Sequence, residues 1–271
     1  MKKALIFALF LLATLIPATS AQTADTVAVT FTCKWSHTAV DDPIVNPGGD
    51  AAHRHEFFGN TSTNRNSTYE SMIASEGLCN KGGDTAAYWL PSLFDERGVR
   101  IQPIRIRVYY SNEPVSAGPV TVFPPDFRLI AGYPHAFDPH PNSFFGWSCD
   151  NAIDLKPGLA GVNCGDRGYI SARAFFPSCW DGVNTDSADH RSHVVYPRLN
   201  GVEKSRAGSC PSTHPIHVPR IRVIVHFPVR SCEDCFLSSD TGLPGGTNFH
   251  VDFWNTWQQS ALEEFISELN A

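Results

Sequence analysis

Apolar and polar residues alternate along Thr26 to Thr32, Ile104 to Tyr110, Val120 to Phe123, Tyr169 to Phe175, His193 to Tyr196 and Arg220 to Phe227. A period of two sends successive side chains to opposite faces, so each stretch predicts a half-buried strand. Ile104-Arg-Ile-Arg-Val-Tyr-Tyr and Ile221-Arg-Val-Ile-Val-His-Phe are the clearest. Pro-Pro, Pro-Gly, Gly-Gly and Asn-Pro pairs between the strands mark long loops. The helical period is clear once: Trp257, Ala261, Leu262, Phe265, Ile266 and Leu269 share one face, and Asn255 stands where a cap belongs. A shorter helix is expected near Tyr69 to Ser75. Many strands, long loops and few helices predict a mainly β chain, a β-sandwich or jelly-roll-like single domain with a C-terminal helix. In such folds chemistry sits on long loops or across a sheet face.

The first residues read differently. Met1-Lys2-Lys3, the apolar run Ala4 to Ile16 and the small residues up to Ala21 have the order of a secretory signal peptide. The run is shorter than the roughly 20 residues a membrane span needs. The expected organisation is therefore a signal peptide over residues 1–21 and one secreted β-rich domain over 22–271, since no linker or repeat divides the remainder. Removing Lys2 and Lys3 leaves 19 basic against 27 acidic residues, a net charge of −8. That balance argues against nucleic acid as a partner, because phosphate binding draws on a surplus of Lys and Arg. No later segment predicts a membrane partner.

Eight cysteines, all beyond residue 21, are read as disulfides of an oxidising compartment that staple the long loops. Many pairings are formally open; the sequential one, 33–79, 149–164, 179–210 and 232–235, closes the shortest loops. Cys232-Glu-Asp-Cys235 has the spacing of a redox or zinc motif, but acidic neighbours raise a thiol pKa and blunt its reactivity, so a structural bridge is expected.

Eleven histidines lie in clusters. In His53-Arg-His55, extended backbone puts both imidazoles on one face, where they can hold a metal or simply flank a turn. The stretch from Phe176 to His193 offers Asp181, Asp186, Asp189, His190 and His193, with Cys179 as a staple and Trp180 as an aromatic wall. Asp-Gly-Val-Asn-Thr-Asp-Ser is also good turn chemistry, and its spacing does not fit a calcium loop. Cys210 to Pro219 presents His214 and His217 between prolines. In His250-Val-Asp252 an aspartate can orient an imidazole from the same strand face. His37, His135 and His140 sit among turn residues and are expected to be solvated.

FPSCWDGVNTDSADHRSHVVYP followed by CPSTHPIHVP resembles a secreted family of filamentous fungi and actinobacteria known only as a domain of unknown function. The resemblance extends to His53-x-His55, Tyr88-Trp89-Leu-Pro-Ser-Leu93, Phe123-Pro-Pro-Asp-Phe-Arg-Leu-Ile-Ala-Gly132 and His250-x-Asp252-Phe, in matching order. Fungal members often carry wall-binding modules. The resemblance implies an extracellular role connected with polysaccharide and marks His53, His55, Asp181, Asn184, His190, His193, His214, His250 and Asp252. Family members usually read Gly-Trp-Asp after the last motif, whereas this chain has Thr256-Trp257-Gln258.

The expected function is a hydrolase or lyase acting on extracellular polysaccharide or cell-wall glycan. Asp181, His190, His193, His250 and Asp252 are the catalytic candidates, and Trp89, Trp180, Asn184 and His214 the substrate contacts. His53, His55, His190 and His193 are candidate ligands for one divalent metal ion. A two-carboxylate glycosidase could draw on Asp181, Asp189, Asp252 or Glu56, but the histidines suit metal-assisted hydrolysis or proton abstraction better. A non-catalytic carbohydrate-binding module with a structural metal is the alternative. No Gly-x-Ser-x-Gly elbow and no HExxH helix is present. At least three of His53, His55, His190, His193 and His250 are expected to converge on one pocket, with Asp181 and Asp252 beside them.

Overall fold

The computed structural model describes residues 26–271 apart from 134–143, 151, 153, 167 and 242–244. The leader expected over residues 1–21, and His135 and His140, lie outside the described residues. Eighteen short strands, all antiparallel where they pair, dominate the chain. Ten of them build two five-stranded sheets: β1 (Ala28–Cys33), β2 (Trp35–Ala39), β3 (His55–Gly59), β4 (Ala87–Pro91), β5 (Arg105–Ser111), β6 (Arg128–Gly132), β7 (Phe145–Cys149), β8 (Ile170–Phe175), β9 (Arg220–His226) and β10 (His250–Trp254). The first sheet runs β1-β5-β9-β8-β7 and the second β2-β3-β4-β10-β6.

The sheets face each other across one apolar core, which makes the fold sandwich-like. Phe31, Ile106, Val108, Ile221, Val223, Ala172 and Trp147 point in from the first sheet, and Phe58, Tyr88, Leu90, Leu129, Val251 and Phe253 from the second. The C-terminal helix α2 (Gln259–Leu269) closes one end by burying Leu262, Phe265, Ile266 and Leu269. The second sheet is unusual in also burying its outer face. Phe57, Trp89, Ile130 and Trp254 on that side pack with Ile44 from the preceding loop and Met72 from the short helix α1 (Tyr69–Ile73). The cysteines pair sequentially, 33–79, 149–164, 179–210 and 232–235.

Two elements differ from the sequence reading. Val120 to Phe123 is not a strand: Pro119 and Pro124 remove ladder donors on either side. Val120 is instead pinned by the Asn270 side chain, through bonds of 2.9 Å in each direction. The last helix begins at Gln259 with Gln258 at its N-cap; Asn255 lies ahead of it, its amide donating to the Pro124 carbonyl at 2.8 Å and its side-chain oxygen accepting from Trp257 N at 3.4 Å. No helix among the described residues is long and apolar enough to cross a membrane.

Candidate metal centre

His55 opens β3 and His250 opens β10, the two neighbours of β4 in the second sheet, and both project from its outer side with Asp252. Backbone carbonyls fix two of the rings. The His55 Nδ1–H donates to Asp41 O at 2.9 Å and the His250 Nδ1–H to Asn248 O at 3.0 Å. With the proton held on Nδ1, each neutral ring turns a lone pair on Nε2 toward the other. His53 completes the group from the loop before β3, its Nε2 lying 3.2 Å from Nε2 of His250. The potential ligand atoms of these three residues all fall within 4.8 Å of one another. A tetrahedral ion with bonds of 2.0–2.1 Å needs nitrogens about 3.4 Å apart, so the spacing suits a first-row divalent metal. At 3.2 Å the His53 and His250 nitrogens are close enough to share a proton, and a cation could take its place.

The strand that carries His250 is also constrained from its other side. Gly132 on β6 pairs with His250 and has φ +89°; a Cβ there would lie 2.4 Å from the Phe249 carbonyl oxygen and 2.8 Å from the His250 Cα. Only glycine leaves β10 room at this register.

Carboxyls complete the centre. Asp252 is fully buried, one of its oxygens lies 4.0 Å from His250 Nε2, and neither oxygen accepts a hydrogen bond from a described residue. Asp42 lines the same small cavity of about 60 Å³ with His53, His55, Ile130, His250 and Asp252. Burial pushes the Asp252 carboxyl well above its usual range, and the neighbouring Asp42 charge pushes the same way against Arg191. Asp42 is raised by burial too, against bonds from the Val45 and Ile44 amides. His55 is held well below its ordinary value by burial first, then by His53 and His250. Burial thus favours a neutral His55 imidazole and protonated carboxyls, and a bound cation reverses that preference for the acids. Cys33, Cys79 and Asp84 also lie close together, but both sulfurs are consumed in a disulfide.

The Asp181 to His193 loop behaves differently. Asp181 Oδ1 accepts from the amides of Val183 and Asn184, and its Oδ2 from the Asn184 side chain at 2.7 Å. Against its partial burial, those bonds hold its carboxyl below the usual range. Asp189 caps the turn by accepting from Ser192 N, Ser187 Oγ and Arg191 N, which together hold it far down. His193 bonds Ser187 Oγ through Nδ1 at 2.9 Å and the Arg128 carbonyl through Nε2 at 2.7 Å. Both its nitrogens are used, so it does not join the other histidines as a ligand. His190 sits at φ +55° with Nδ1 on Asp186, 2.9 Å away.

Of the expected residues, the fold brings His53, His55, His250 and Asp252 together. His190 and Arg191 reach the rim electrostatically, through Asp42 and Asp252. Asp181, Asn184 and His214 form the loop's own bonds, His214 Nε2 donating to Ser192 O at 2.9 Å. Trp180 donates to Asn184 O and packs on Phe127. Trp89, expected as a platform for a sugar ring, lies fully buried against Phe57 and cannot serve as one. Glu56 is buried in bonds from Arg100, Trp35 and Ser92. Sequence reasoning missed Asp42, Arg191 and the orienting carbonyls of Asp41 and Asn248. An acidic pair before Pro43, just upstream of the paired histidines, was the available signal for Asp42.

A family model described as a domain of unknown function, DUF1996, matches residues 42–257. The chain belongs to the DUF1996 family. The match begins at Asp42 and takes in His53, His55, His250 and Asp252, so the whole centre lies inside the DUF1996 domain. Neither the curated proteins nor the solved structures hold a match to it.

Proposed function

We propose that this DUF1996 protein is a secreted metal-dependent hydrolase or lyase acting on extracellular polysaccharide or cell-wall glycan. Its centre is one divalent ion on His53, His55 and His250. The observation that carries the reading is the convergence of the three imidazoles beside the unpartnered buried carboxyl of Asp252. A divalent ion would supply Lewis acidity and an acidified water. Asp252 and Asp42, raised by burial, would accept and return a proton. The four disulfides suit an oxidising compartment, which supports the extracellular assignment.

A second reading rests on size. A cavity of about 60 Å³ has room for an ion and a few waters but not for a sugar ring, so a glycan would have to lie across its mouth. The same measurement favours a structural metal in a carbohydrate-binding module. Elemental analysis of the exported protein, with polysaccharide depolymerisation assays, separates the cases. The proposal expects one zinc-like ion per chain, lost in His53→Ala and His250→Ala, and product formation lost in Asp252→Asn with the metal retained. Metal without turnover on any glycan assigns the structural reading. No binding of zinc, copper, manganese or calcium overturns the metal centre.

A further inference from the structure

The clearest strand pattern in the sequence has a consequence on the opposite side of the sandwich. In β5, β9 and β8 the positions that alternate with the core residues are Arg105, Arg107 and Tyr109, then Arg220, Arg222 and His226, then Arg173 and Phe175. The register sets them in rows: Tyr109, Arg222 and Phe175 in one, Arg107, Ile224 and Arg173 in the next. Strands lie about 4.8 Å apart, which puts the Arg107 and Arg173 backbones about 10 Å from each other across β9. Five arginines thus stand on one sheet face of a chain whose 27 acidic residues outnumber its 21 basic ones.

Their counter-charges are mostly missing. Glu113 pairs with Arg220 and Arg206. Among the described residues no carboxylate forms an ion pair with Arg105, Arg107, Arg173 or Arg222. Arg173 is only 2% exposed, and its Nε has no hydrogen-bond partner; the Nε atoms of Arg220 and Arg222 are likewise unpartnered. A buried guanidinium without partner or counter-charge is unfavourable. Burial and then the Arg222 charge hold Arg173 down to about 10, which shows the same tension electrostatically. The Arg222 guanidinium carbon lies over the Tyr109 ring, 3.7 Å from its centroid, and Arg105 is exposed. The face therefore has a buried cationic floor and reachable cations and an aromatic edge above it.

We propose that this face binds an anionic polysaccharide whose carboxylate or sulfate groups pair with Arg105, Arg107 and Arg222, above the buried charge of Arg173. Guanidinium forks match both groups bidentately. Rows repeating at strand spacing suit a linear polymer with separated charges, and the Tyr109–Arg222 stack offers a flat surface to a sugar ring. The negative charge of the remaining chain disfavours the denser charge of nucleic acid beyond this footprint. The site lies on the far side of the core from the histidines and stands independently of the metal reading.

The test is affinity electrophoresis of the whole secreted chain at low salt in gels containing polygalacturonate, dextran sulfate or neutral dextran. Retardation by one or both polyanions, absent with dextran, is expected to weaken at least tenfold in Arg107→Ala/Arg222→Ala. Whichever polymer binds better identifies carboxylate or sulfate as the group recognised. Arg105→Ala, at an exposed position, supplies a smaller loss of the same sign if the double variant does not fold. No retardation by either polyanion, or retardation undiminished in both sets of arginine variants, overturns the proposal. Tighter binding of a single-stranded oligonucleotide than of either glycan overturns it as well.

Discussion

The protein has two regions dense in histidine and aspartate, and they are built on opposite terms. In the Asp181 to His193 loop the polar atoms largely answer one another: Asp181 and Asp189 cap their own turns and His193 spends both nitrogens. In the centre on the second sheet the reverse holds. His55 Nε2 and both oxygens of Asp252 are buried without a hydrogen-bond partner. Buried polar atoms are almost always satisfied, so a concentration of unsatisfied ones marks where something else must bind. The density of reactive residue types is common to both regions; unmet valence on a histidine or aspartate is found in the centre.

The sharpest way to break this contrast is to remove a ligand. His250→Ala should lower affinity for zinc by at least 100-fold, and Asp181→Ala should leave it unchanged, with both measured by chelator competition. If Asp181→Ala released the metal as readily, the loop would belong to the centre and the distinction would fail. Gly132→Ala tests the backbone instead. The added methyl meets the Phe249 carbonyl and His250 Cα, so it should displace β10 and weaken metal binding without touching any ligand.

Next in size is the staple. Cys179–Cys210 closes a separation of 31 residues around the loop, and removing it as a double alanine variant should cost about 2–4 kcal/mol by thermal unfolding. Metal stoichiometry in the folded fraction should stay the same. Asp181→Ala should cost less, about 1 kcal/mol, the usual worth of capping hydrogen bonds at a partly exposed site. A cost above that of the disulfide would mean that the carboxylate has a partner beyond its own turn.

What could be read in advance followed the same physical divide. Strands β1, β5, β8 and β9 were legible because most carry one face toward the core and one toward polar surroundings, as in Arg105–Ser111. Strands β3, β4 and β10 gave no alternation, because loop residues such as Ile44 and the α1 residue Met72 cover their outer side and every residue in them is buried. The centre sits on those silent strands. Its histidines could be named from their spacing, but their convergence depends on β4 lying between β3 and β10, and the pairing of Trp89 with Asp252 that sets this is long-range and encoded by no local pattern. Asp42 was missed for a related reason: the acidic pair before Pro43 comes from an irregular loop, and only the fold places it against Asp252.

Acid provides the smallest and most selective test. Asp181 and Asp189 have folded pKa values held below the ordinary carboxylate value, so the stability they give is present above about pH 4 and is lost as pH falls through their folded values. His226, lowered to about 4 by burial and then by Arg105 and Arg107, acts in a separate window. There the unfolded chain takes up a proton that the folded chain refuses, so stability falls between about pH 6.5 and 4 and then levels off. Proteolysis of the loop and global unfolding, both followed from pH 7 to 3, should therefore part company. His226→Gln should flatten the upper step of the global curve and leave loop cleavage alone. Asp189→Asn should make the loop equally cleavable across the lower range with little change in the global curve. If Asp189→Asn instead moved the global curve and the loop together, the loop would unfold only with the sandwich, and its internal bonds would be part of the core's cooperativity rather than a local structure laid beside the histidine centre.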